Sequence, residues 1–446
     1  MKIRFVTLGC KLNFAESSAI GKALLQQGHT RAKQGEEADI CVINTCSVTD
    51  NADHKDRQTI HRIHRQNPNA IIIVTGCYAQ LQPEQIAQIE GVDYVLGQNE
   101  KYSITQLVNE LCDSLEDGVP PTERPTGYSL EAQKIRVANI REVEEFHGAY
   151  SKDDRTRCFL KVQDGCNYFC TYCTIPYARG KSRNPAISDI IKDAQEALAQ
   201  GAKEIILTGV NIGDFGRSTG EAFIDLLKAL DDLGDEAMRR EARGERREAM
   251  DYRIRISSCE PNLLTDEIID FVAHSKHFAP HFHIPLQSGS NEVLSIMKRR
   301  YTRELFEERV KHIKQVMPHA FIGVDCMVGV RGETEEYFND YVEFIKRLDV
   351  SQLHVFTYSE RANTRMLELD VCVVPKAERQ RRSKILHEIS EEKTQTFYTN
   401  QAGREAIVLW ESKKEGDQMA GFTENYVKVY RPYEKEKVNT FEYIRL

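Results

Sequence analysis

A compact group of cysteines is the feature of this sequence with the clearest chemical meaning. Cys166, Cys170 and Cys173, here called the loop triplet, form a Cys-x3-Cys-x2-Cys pattern just after a predicted strand. Iron–sulfur clusters usually take four cysteines, so three leave one iron open to a small molecule. A zinc site would need a fourth cysteine or histidine nearby, and the next histidine downstream is His274. The pattern therefore favours an iron–sulfur cluster with an open iron over a zinc knuckle or a chance grouping.

Three further cysteines share one place in the predicted secondary structure. Cys10, Cys46 and Cys77, here called the sheet triplet, each follow a small residue at the carboxyl end of a predicted strand. Ligands bind at that edge of an open α/β sheet, so thiols far apart in sequence can converge there. One such cysteine could simply be buried, but three at equivalent places predict a second metal-binding group. The six other cysteines are isolated and predicted to pack only: Cys41, Cys112, Cys158, Cys259, Cys326 and Cys372.

Composition limits the class of protein. The chain has 446 residues, a length that corresponds to about three domains. It carries 60 Lys and Arg against 68 Asp and Glu, a net charge of −8, so any nucleic acid must be bound through local basic patches. The twelve cysteines are too few for a secreted disulfide scaffold, and the N-terminus reads as a strand. We therefore expect a cytoplasmic protein without a membrane segment, in which grouped cysteines serve metal or redox chemistry.

An N-terminal segment is predicted to position the sheet triplet. Residues 1–118 alternate apolar strands with helices, which predicts a parallel, Rossmann-like sheet covered on both faces. The predicted strands span 3–8, 38–44, 70–75 and 92–96. Residues 119–150 are rich in turn formers and are predicted to be a linker, with a further strand possible in 135–143.

A second segment, residues 151–395, is predicted to position the loop triplet. It contains six strand-like stretches separated by amphipathic helices, at 159–163, 204–208, 253–258, 281–286, 321–328 and 353–358. Six βα units predict a partial (βα)6 barrel of the TIM type. The charge-dense stretch 231–251 is predicted to be an exposed helix, and 396–446 a small β-barrel domain. The fold class is therefore α/β with a C-terminal β module.

The loop triplet and its surroundings resemble the radical SAM superfamily. Tyr172 stands before the last cysteine as in the superfamily signature, and residues 161–183, KVQDGCNYFCTYCTIPYARGKSR, look like its methylthiotransferase branch. The resemblance implies a [4Fe–4S] cluster on the loop triplet that binds S-adenosylmethionine (SAM) and yields a 5′-deoxyadenosyl radical. It also implies a second [4Fe–4S] cluster on the sheet triplet, holding a sulfur that one SAM methylates before insertion into the substrate.

The same resemblance suggests which residues bind SAM. Strand ends of the barrel line the SAM pocket in the superfamily, and each candidate could instead merely stabilise its loop. The candidates are Tyr172, Gly209, Asn211, Gln287, Ser288 and Arg361. Gly209 and Asn211 match the place that meets the methionine amine, and Gln287 and Ser288 the place that meets the ribose or carboxylate.

Basic side chains near both triplets are candidates for RNA contact. Arg57, His61 and Arg65 lie on the predicted helix after Cys46, where they could meet phosphates or simply face solvent. Arg179 and Arg183 follow the loop triplet and form a second candidate patch. Residues 421–429, Gly-Phe-Thr-Glu-Asn-Tyr-Val-Lys-Val, resemble part of a TRAM domain, a small β-barrel that binds RNA.

The resemblance also narrows the substrate. Residues 9–13, Gly-Cys-Lys-Leu-Asn, look like the branch that methylthiolates C-2 of N6-threonylcarbamoyladenosine beside the tRNA anticodon, whereas the isopentenyladenosine branch more often has Gln-Met at 11–12. The resemblance implies tRNA, a flavodoxin-type electron donor and a sulfur donor as partners. The protein itself is expected to be a monomer. Alternatives are isopentenyladenosine or a ribosomal-protein aspartate as substrate, or an iron–sulfur electron carrier or redox sensor. An electron carrier needs no large cavity, so the predicted barrel argues against that class.

Overall fold

The protein folds into two compact units in the computed structural model. The structure describes residues 1–33, 35–116, 134–151, 156–233 and 252–446. The first unit comprises Met1–Ser151, Gly165–Asn167 and Cys173–Lys181, and the second Lys152–Asp164, Tyr168–Tyr172 and Ser182–Leu446. The predicted exposed helix at 231–251 lies, from residue 234 on, outside the described residues. No helix in the described ranges is both long and apolar enough to cross a membrane.

The first unit is built on the predicted parallel sheet. Its strands are β1 (Lys2–Thr7), β2 (Thr30–Arg31), β3 (Ile40–Thr45), β4 (Ile71–Gly76), β5 (Tyr94–Leu96) and β6 (Ile135–Arg136). They lie in the order β2-β1-β3-β4-β5-β6, and every neighbouring pair is parallel. The Rossmann-like sheet is thus confirmed. Strand β2 was not predicted, because two exposed residues give no hydrophobic pattern.

Alternating side chains of the central strands bury both faces of this sheet. Cys41 and Ile43 of β3 point into one core, whereas Ile40 and Val42 point into the other. The helices of this unit are α1 (Lys11–Gln26), α2 (Asp50–Gln66), α3 (Cys77–Leu81), α4 (Pro83–Ala87), α5 (Ile104–Glu116) and α6 (Ile175–Arg179). With both faces covered, the carboxyl edge of the sheet is where loops present polar side chains.

The second unit contains the six predicted barrel strands. They are β7 (Arg157–Lys161), β8 (Glu204–Thr208), β9 (Arg253–Ile256), β10 (His281–Gln287), β11 (Phe321–Val328) and β12 (Gln352–Thr357). They form two parallel sheets, β7-β8-β9 and β10-β11-β12, joined by a bridge between Ser258 and His283. The partial (βα)6 barrel is confirmed, with a break after its third strand.

Three of the described helices in the second unit start at threonine caps. Thr265, Thr302 and Thr334 each accept a hydrogen bond from a backbone N–H in the first turn of the helix that follows. The helices are α7 (Ile187–Ala199), α8 (Phe223–Asp231), α9 (Asp266–His274), α10 (Asn291–Ile296), α11 (Arg303–Val316), α12 (Glu335–Arg347) and α13 (Lys376–Asn400).

The C-terminal residues form an antiparallel sheet within the second unit. Its strands are β13 (Glu405–Glu415), β14 (Gln418–Thr423), β15 (Lys428–Pro432) and β16 (Phe441–Arg445), in the order β15-β14-β13-β16. A register shift between Trp410 and Lys414 bends β13 against β14. The predicted small β-barrel is therefore a curled half-barrel in the described chain.

A buried ion cluster joins this half-barrel to the amino ends of the barrel strands. Glu204 forms ion pairs with Arg253 and Arg255, all almost completely buried. Arg253 also donates to the carbonyl oxygens of Ile407 (3.2 Å) and Phe422 (2.9 Å) in the half-barrel. Burial alone would raise the pKa of Glu204, but the two guanidinium groups outweigh it and hold that pKa below its usual range.

Glu204→Gln is expected to destabilise the protein strongly. The substitution leaves two buried guanidinium groups uncompensated, a change that costs about 3–5 kcal/mol of unfolding free energy. Urea unfolding followed by circular dichroism measures the effect. Glu267→Gln is the control, because Glu267 pairs with Lys228 at an exposed site and should leave the midpoint unchanged. Equal midpoints for wild type and Glu204→Gln would contradict the assigned role.

Candidate metal centres and cofactor site

The sheet triplet lies at the carboxyl ends of three neighbouring strands. Cys10 follows β1 and caps α1, Cys46 follows β3 directly, and Cys77 is the first residue of α3 after β4. Because β1, β3 and β4 are adjacent in the sheet, the three cysteines lie along one edge.

Two glycines allow these strand ends to approach each other. Gly9 has φ +96°, and a Cβ at this position would lie 2.6 Å from the Cβ of Cys46. Gly76 has φ +105°, and a Cβ there would lie 2.3 Å from the carbonyl oxygen of Thr45. Both positions therefore require glycine, for backbone conformation and for space.

The three thiols of the sheet triplet interact electrostatically. Burial, followed by the charges of Cys77 and Cys10, raises the pKa of the Cys46 thiol to about 12. Burial also raises the pKa of Cys77, and the Arg179 guanidinium opposes that shift. A cationic metal centre reverses this penalty by coordinating the thiolates.

A buried network of hydrogen bonds holds a side-chain amide against the sulfur of Cys77. The Gln98 side-chain amide donates to Cys77 Sγ at 3.0 Å. Lys101 bonds both Gln98 and Glu16, and Arg179 donates to Glu16 at 3.1 Å. Gln98 and Lys101 could not be identified from the sequence, because they follow β5, a strand with no cysteine directly after it.

Gln98→Leu is expected to make the reduction potential of a cluster on the sheet triplet more negative. Donors to thiolate sulfur stabilise the reduced cluster, and losing a bond of about 1 kcal/mol corresponds to tens of millivolts. Redox titration monitored by EPR measures the potential in a protein whose loop triplet is replaced by alanine. Gln106→Leu is the control, since Gln106 bonds only to Glu110 at an exposed site in the described contacts. Equal potentials in wild type and Gln98→Leu would refute the assignment.

The loop triplet lies in a tightly turned segment between β7 and α6. Cys166 and Cys173 belong to the first unit and Cys170 to the second. Gly165 has φ +68°, and a Cβ there would lie 1.9 Å from the carbonyl oxygen of Lys181. Phe169 has φ +51°, in a region that non-glycine residues rarely occupy. Strained backbone of this kind concentrates at functional sites.

Arg299 stabilises the charge of Cys170. Its guanidinium donates to Cys170 Sγ at 3.1 Å and to the Tyr172 hydroxyl at 3.4 Å, and it pairs with Glu260. Burial raises the pKa of the Cys170 thiol, and Arg299 opposes that shift. Arg299 thus favours the thiolate that a cluster requires. No motif spacing identified it, because it lies 129 residues further along the chain.

Two of the predicted SAM residues have unsatisfied polar groups. Asn211 is 3% exposed, and among the described residues neither polar atom of its side chain forms a hydrogen bond of good geometry, although the Tyr168 hydroxyl is close enough to interact with it. Gln287 has φ +64°, and its buried side-chain oxygen has no hydrogen-bond partner in the described part of the chain. Buried polar groups are normally paired, so these atoms mark a place for a polar ligand.

The other SAM candidates are well fixed in the second unit. A Cβ at Gly209 would lie 2.9 Å from the carbonyl oxygen of Gln163, so this loop admits no side chain. Ser288 is fully buried and accepts from the Ser290 N–H at 3.3 Å. Arg361 is 5% exposed. Their contact with SAM stays a prediction.

The RNA candidates separate into exposed and buried groups. His61 and Arg65 are exposed on α2, and Arg57 is half-buried with its guanidinium 2.8 Å from the Tyr78 hydroxyl. Arg179 is buried and bonds Glu16 and Asn13. Arg183 is also buried and pairs with Asp164 at 3.3 Å. The engagement of Arg179 and Arg183 inside the protein argues against RNA contact through these two.

The fold and the loop triplet together define a class. Residues 2–97 match the uncharacterized protein family UPF0004, and residues 160–345 match the Radical SAM superfamily. The fold is similar to the radical S-adenosylmethionine methyltransferase TsrM from Kitasatospora setae, with a TM-score of 0.54 at 15% identity over 79% of this chain and 72% of that one. The protein is a radical SAM enzyme, a class that implies SAM and a [4Fe–4S] cluster.

Relatives matched over nearly their whole length refine this class. Threonylcarbamoyladenosine tRNA methylthiotransferase MtaB of Bacillus subtilis (strain 168) is 37% identical, covering 96% of this chain and 89% of its own. MtaB of Aquifex aeolicus (strain VF5) is 35% identical, covering 98% of each. The tRNA-2-methylthio-N(6)-dimethylallyladenosine synthase of Pelotomaculum thermopropionicum (strain DSM 13744 / JCM 10971 / SI) is 30% identical over 94% of this chain and 88% of its own. The chain belongs to the MtaB-type radical SAM methylthiotransferase family.

Proposed function

We propose that this protein is a tRNA methylthiotransferase that inserts a methylthio group at C-2 of N6-threonylcarbamoyladenosine beside the anticodon. The family assignment supports methylthio transfer, and the relatives named for threonylcarbamoyladenosine match nearly the whole chain. The Lys11-Leu12 pair after Cys10 supports the same substrate.

One contact inside the first unit supports the proposal most directly. The Thr174 hydroxyl, one residue after the last cysteine of the loop triplet, donates to the Ser47 carbonyl, one residue after Cys46, at 3.4 Å. Helix α6, which follows, ends at Arg179, and this side chain bonds Glu16 and Asn13 beside the sheet triplet. The ends of the two cysteine segments are therefore neighbours, as an enzyme needs if it joins a sulfur group to a carbon radical.

The chain's own residues have distinct parts in this proposal. When bound, SAM and the two [4Fe–4S] clusters supply the adenosyl radical and the methylthio sulfur. The loop triplet holds one cluster, with Arg299 compensating the charge of Cys170, and the sheet triplet holds the other. Asn211 and Gln287 bind polar groups of SAM through their unpaired atoms. Exposed basic residues of α2 meet RNA phosphates.

The domain organisation follows from these parts. We propose a sulfur-carrying domain at 1–118, a linker at 119–150, a radical SAM domain at 151–395 and an RNA-binding half-barrel at 396–446. The protein acts as a cytoplasmic monomer, with a flavodoxin-type reductant and a separate sulfur donor.

Reconstituted enzyme and two tRNA substrates test the proposal. The protein is loaded anaerobically with iron and sulfide, reduced, and incubated with SAM and tRNA that carries either threonylcarbamoyl- or isopentenyladenosine. We expect about eight irons per chain, as two clusters require, and a methylthio product only from the threonylcarbamoyl substrate. A product only from isopentenyladenosine would contradict the substrate assignment, and product from neither would contradict tRNA as substrate.

A further inference from the structure

A histidine–aspartate–histidine group that contains no cysteine lies on the barrel strands of the second unit. His283 Nε2 is 2.7 Å from Asp325 Oδ1, and His354 Nδ1 is 3.4 Å from the same oxygen. The ligand atoms of all three residues lie within 4.8 Å of one another. Among the described residues, no other set of three or more histidine, cysteine or carboxylate side chains is as close.

The strand register brings the three side chains together. His354 on β12 is directly opposite Asp325 on β11. His283 on β10 is opposite Gly323, which precedes Asp325 by two residues and so shares its side of the strand. Because Gly323 has no side chain, the two imidazoles can approach across β11, and their ring centres are 4.9 Å apart.

The donor set is one that transition metals prefer. Two imidazoles and one carboxylate form the facial ligand set of non-haem iron(II), and catalytic zinc sites use a comparable trio with one open position. Metal bonds to nitrogen and oxygen of about 2.0–2.2 Å can span a group of this size. From this geometry we infer that His283, Asp325 and His354 form a binding site for a divalent transition-metal ion.

The site is open enough to be filled. The side chains of His283, Asp325 and His354 are 19%, 16% and 39% exposed, so an ion can reach all three. The three ligands lie on paired β-strands rather than on loops, which fixes their spacing before an ion arrives. The inferred site uses no cysteine and does not depend on the proposed tRNA substrate.

X-ray absorption at the zinc edge tests the site on the cluster-loaded enzyme. One equivalent of Zn²⁺ is added after both triplets are occupied by iron–sulfur clusters. We expect a shell of nitrogen and oxygen atoms at about 2.0–2.1 Å with imidazole scattering. A sulfur shell at about 2.3 Å would show cysteine binding and overturn the inference.

Calorimetric titration with Zn²⁺ then assigns the ligands. His354→Ala and the size-conserving His354→Gln are each expected to weaken binding at least ten-fold. His312→Ala is the matched control, because His312 pairs with Asp270 at 2.7 Å on the same unit and belongs to no three-ligand group among the described residues. Equal affinity in wild type and both His354 variants, or no binding of Zn²⁺ to wild type below millimolar concentration, would overturn the inference.

Discussion

Cys77→Ala is expected to abolish methylthio transfer while SAM is still cleaved to 5′-deoxyadenosine. Cys77 is 4% exposed and one of only three cysteines at the sheet edge, so a cluster there loses a third of its protein ligands. The loop triplet is unchanged in this variant, so we expect the cluster proposed for it to be retained. Chromatography measures 5′-deoxyadenosine and the methylthio nucleoside in the same reaction, and iron content should fall to about half.

Cys41→Ala is the matched control for this substitution. Cys41 is fully buried on β3, the strand that ends at Cys46, but it points into the apolar core. We expect this variant to retain both products and its full iron content. If Cys77→Ala lost SAM cleavage as well, the division of labour between the two triplets would be wrong.

Cys170→Ala is expected to abolish both SAM cleavage and methylthio transfer. Cys170 is buried 3.1 Å from the Arg299 guanidinium, so its loss removes a proposed cluster ligand and leaves that arginine without its sulfur partner. The cluster proposed for the sheet triplet should remain, so we expect about half of the iron to be retained. EPR of the reduced protein and a 5′-deoxyadenosine assay measure the two effects.

Cys158→Ala controls for general damage near the loop. Cys158 is 4% exposed on β7, the strand that leads into the loop triplet, and is not part of it. This variant should cleave SAM at the wild-type rate. Residual 5′-deoxyadenosine formation by Cys170→Ala would show that the loop triplet is not the SAM site.

The sheet triplet could be predicted from sequence because parallel strands have a simple geometry. Apolar strands such as β3 and β4 are recognisable, their carboxyl ends share one edge, and each cysteine followed such an end. The same regularity identified all six barrel strands. In these strands the local hydrophobic pattern agrees with the position in the folded sheet, so the pattern alone predicts that position.

Contacts between distant segments could not be predicted in this way. Gln98 and Arg299 touch cysteine sulfurs from segments that carry no motif. Arg179 and Arg183 follow the loop triplet and looked like a surface patch, but buried carboxylates at Glu16 and Asp164 hold them inside. Cys372 was predicted to pack, and this is wrong, because it is exposed. Sequence shows side-chain type and spacing, but not which charges tertiary packing pairs.

Nucleoside mass spectrometry of tRNA tests the central proposal most directly. A bacterial strain that lacks its own threonylcarbamoyladenosine methylthiotransferase is complemented with this chain or with its Cys77→Ala variant. We expect the wild-type chain to restore 2-methylthio-N6-threonylcarbamoyladenosine and the variant, expressed at the same level, to restore none. Absence of this nucleoside with the wild-type chain, despite loaded clusters and active SAM cleavage in the purified protein, would contradict the proposed function.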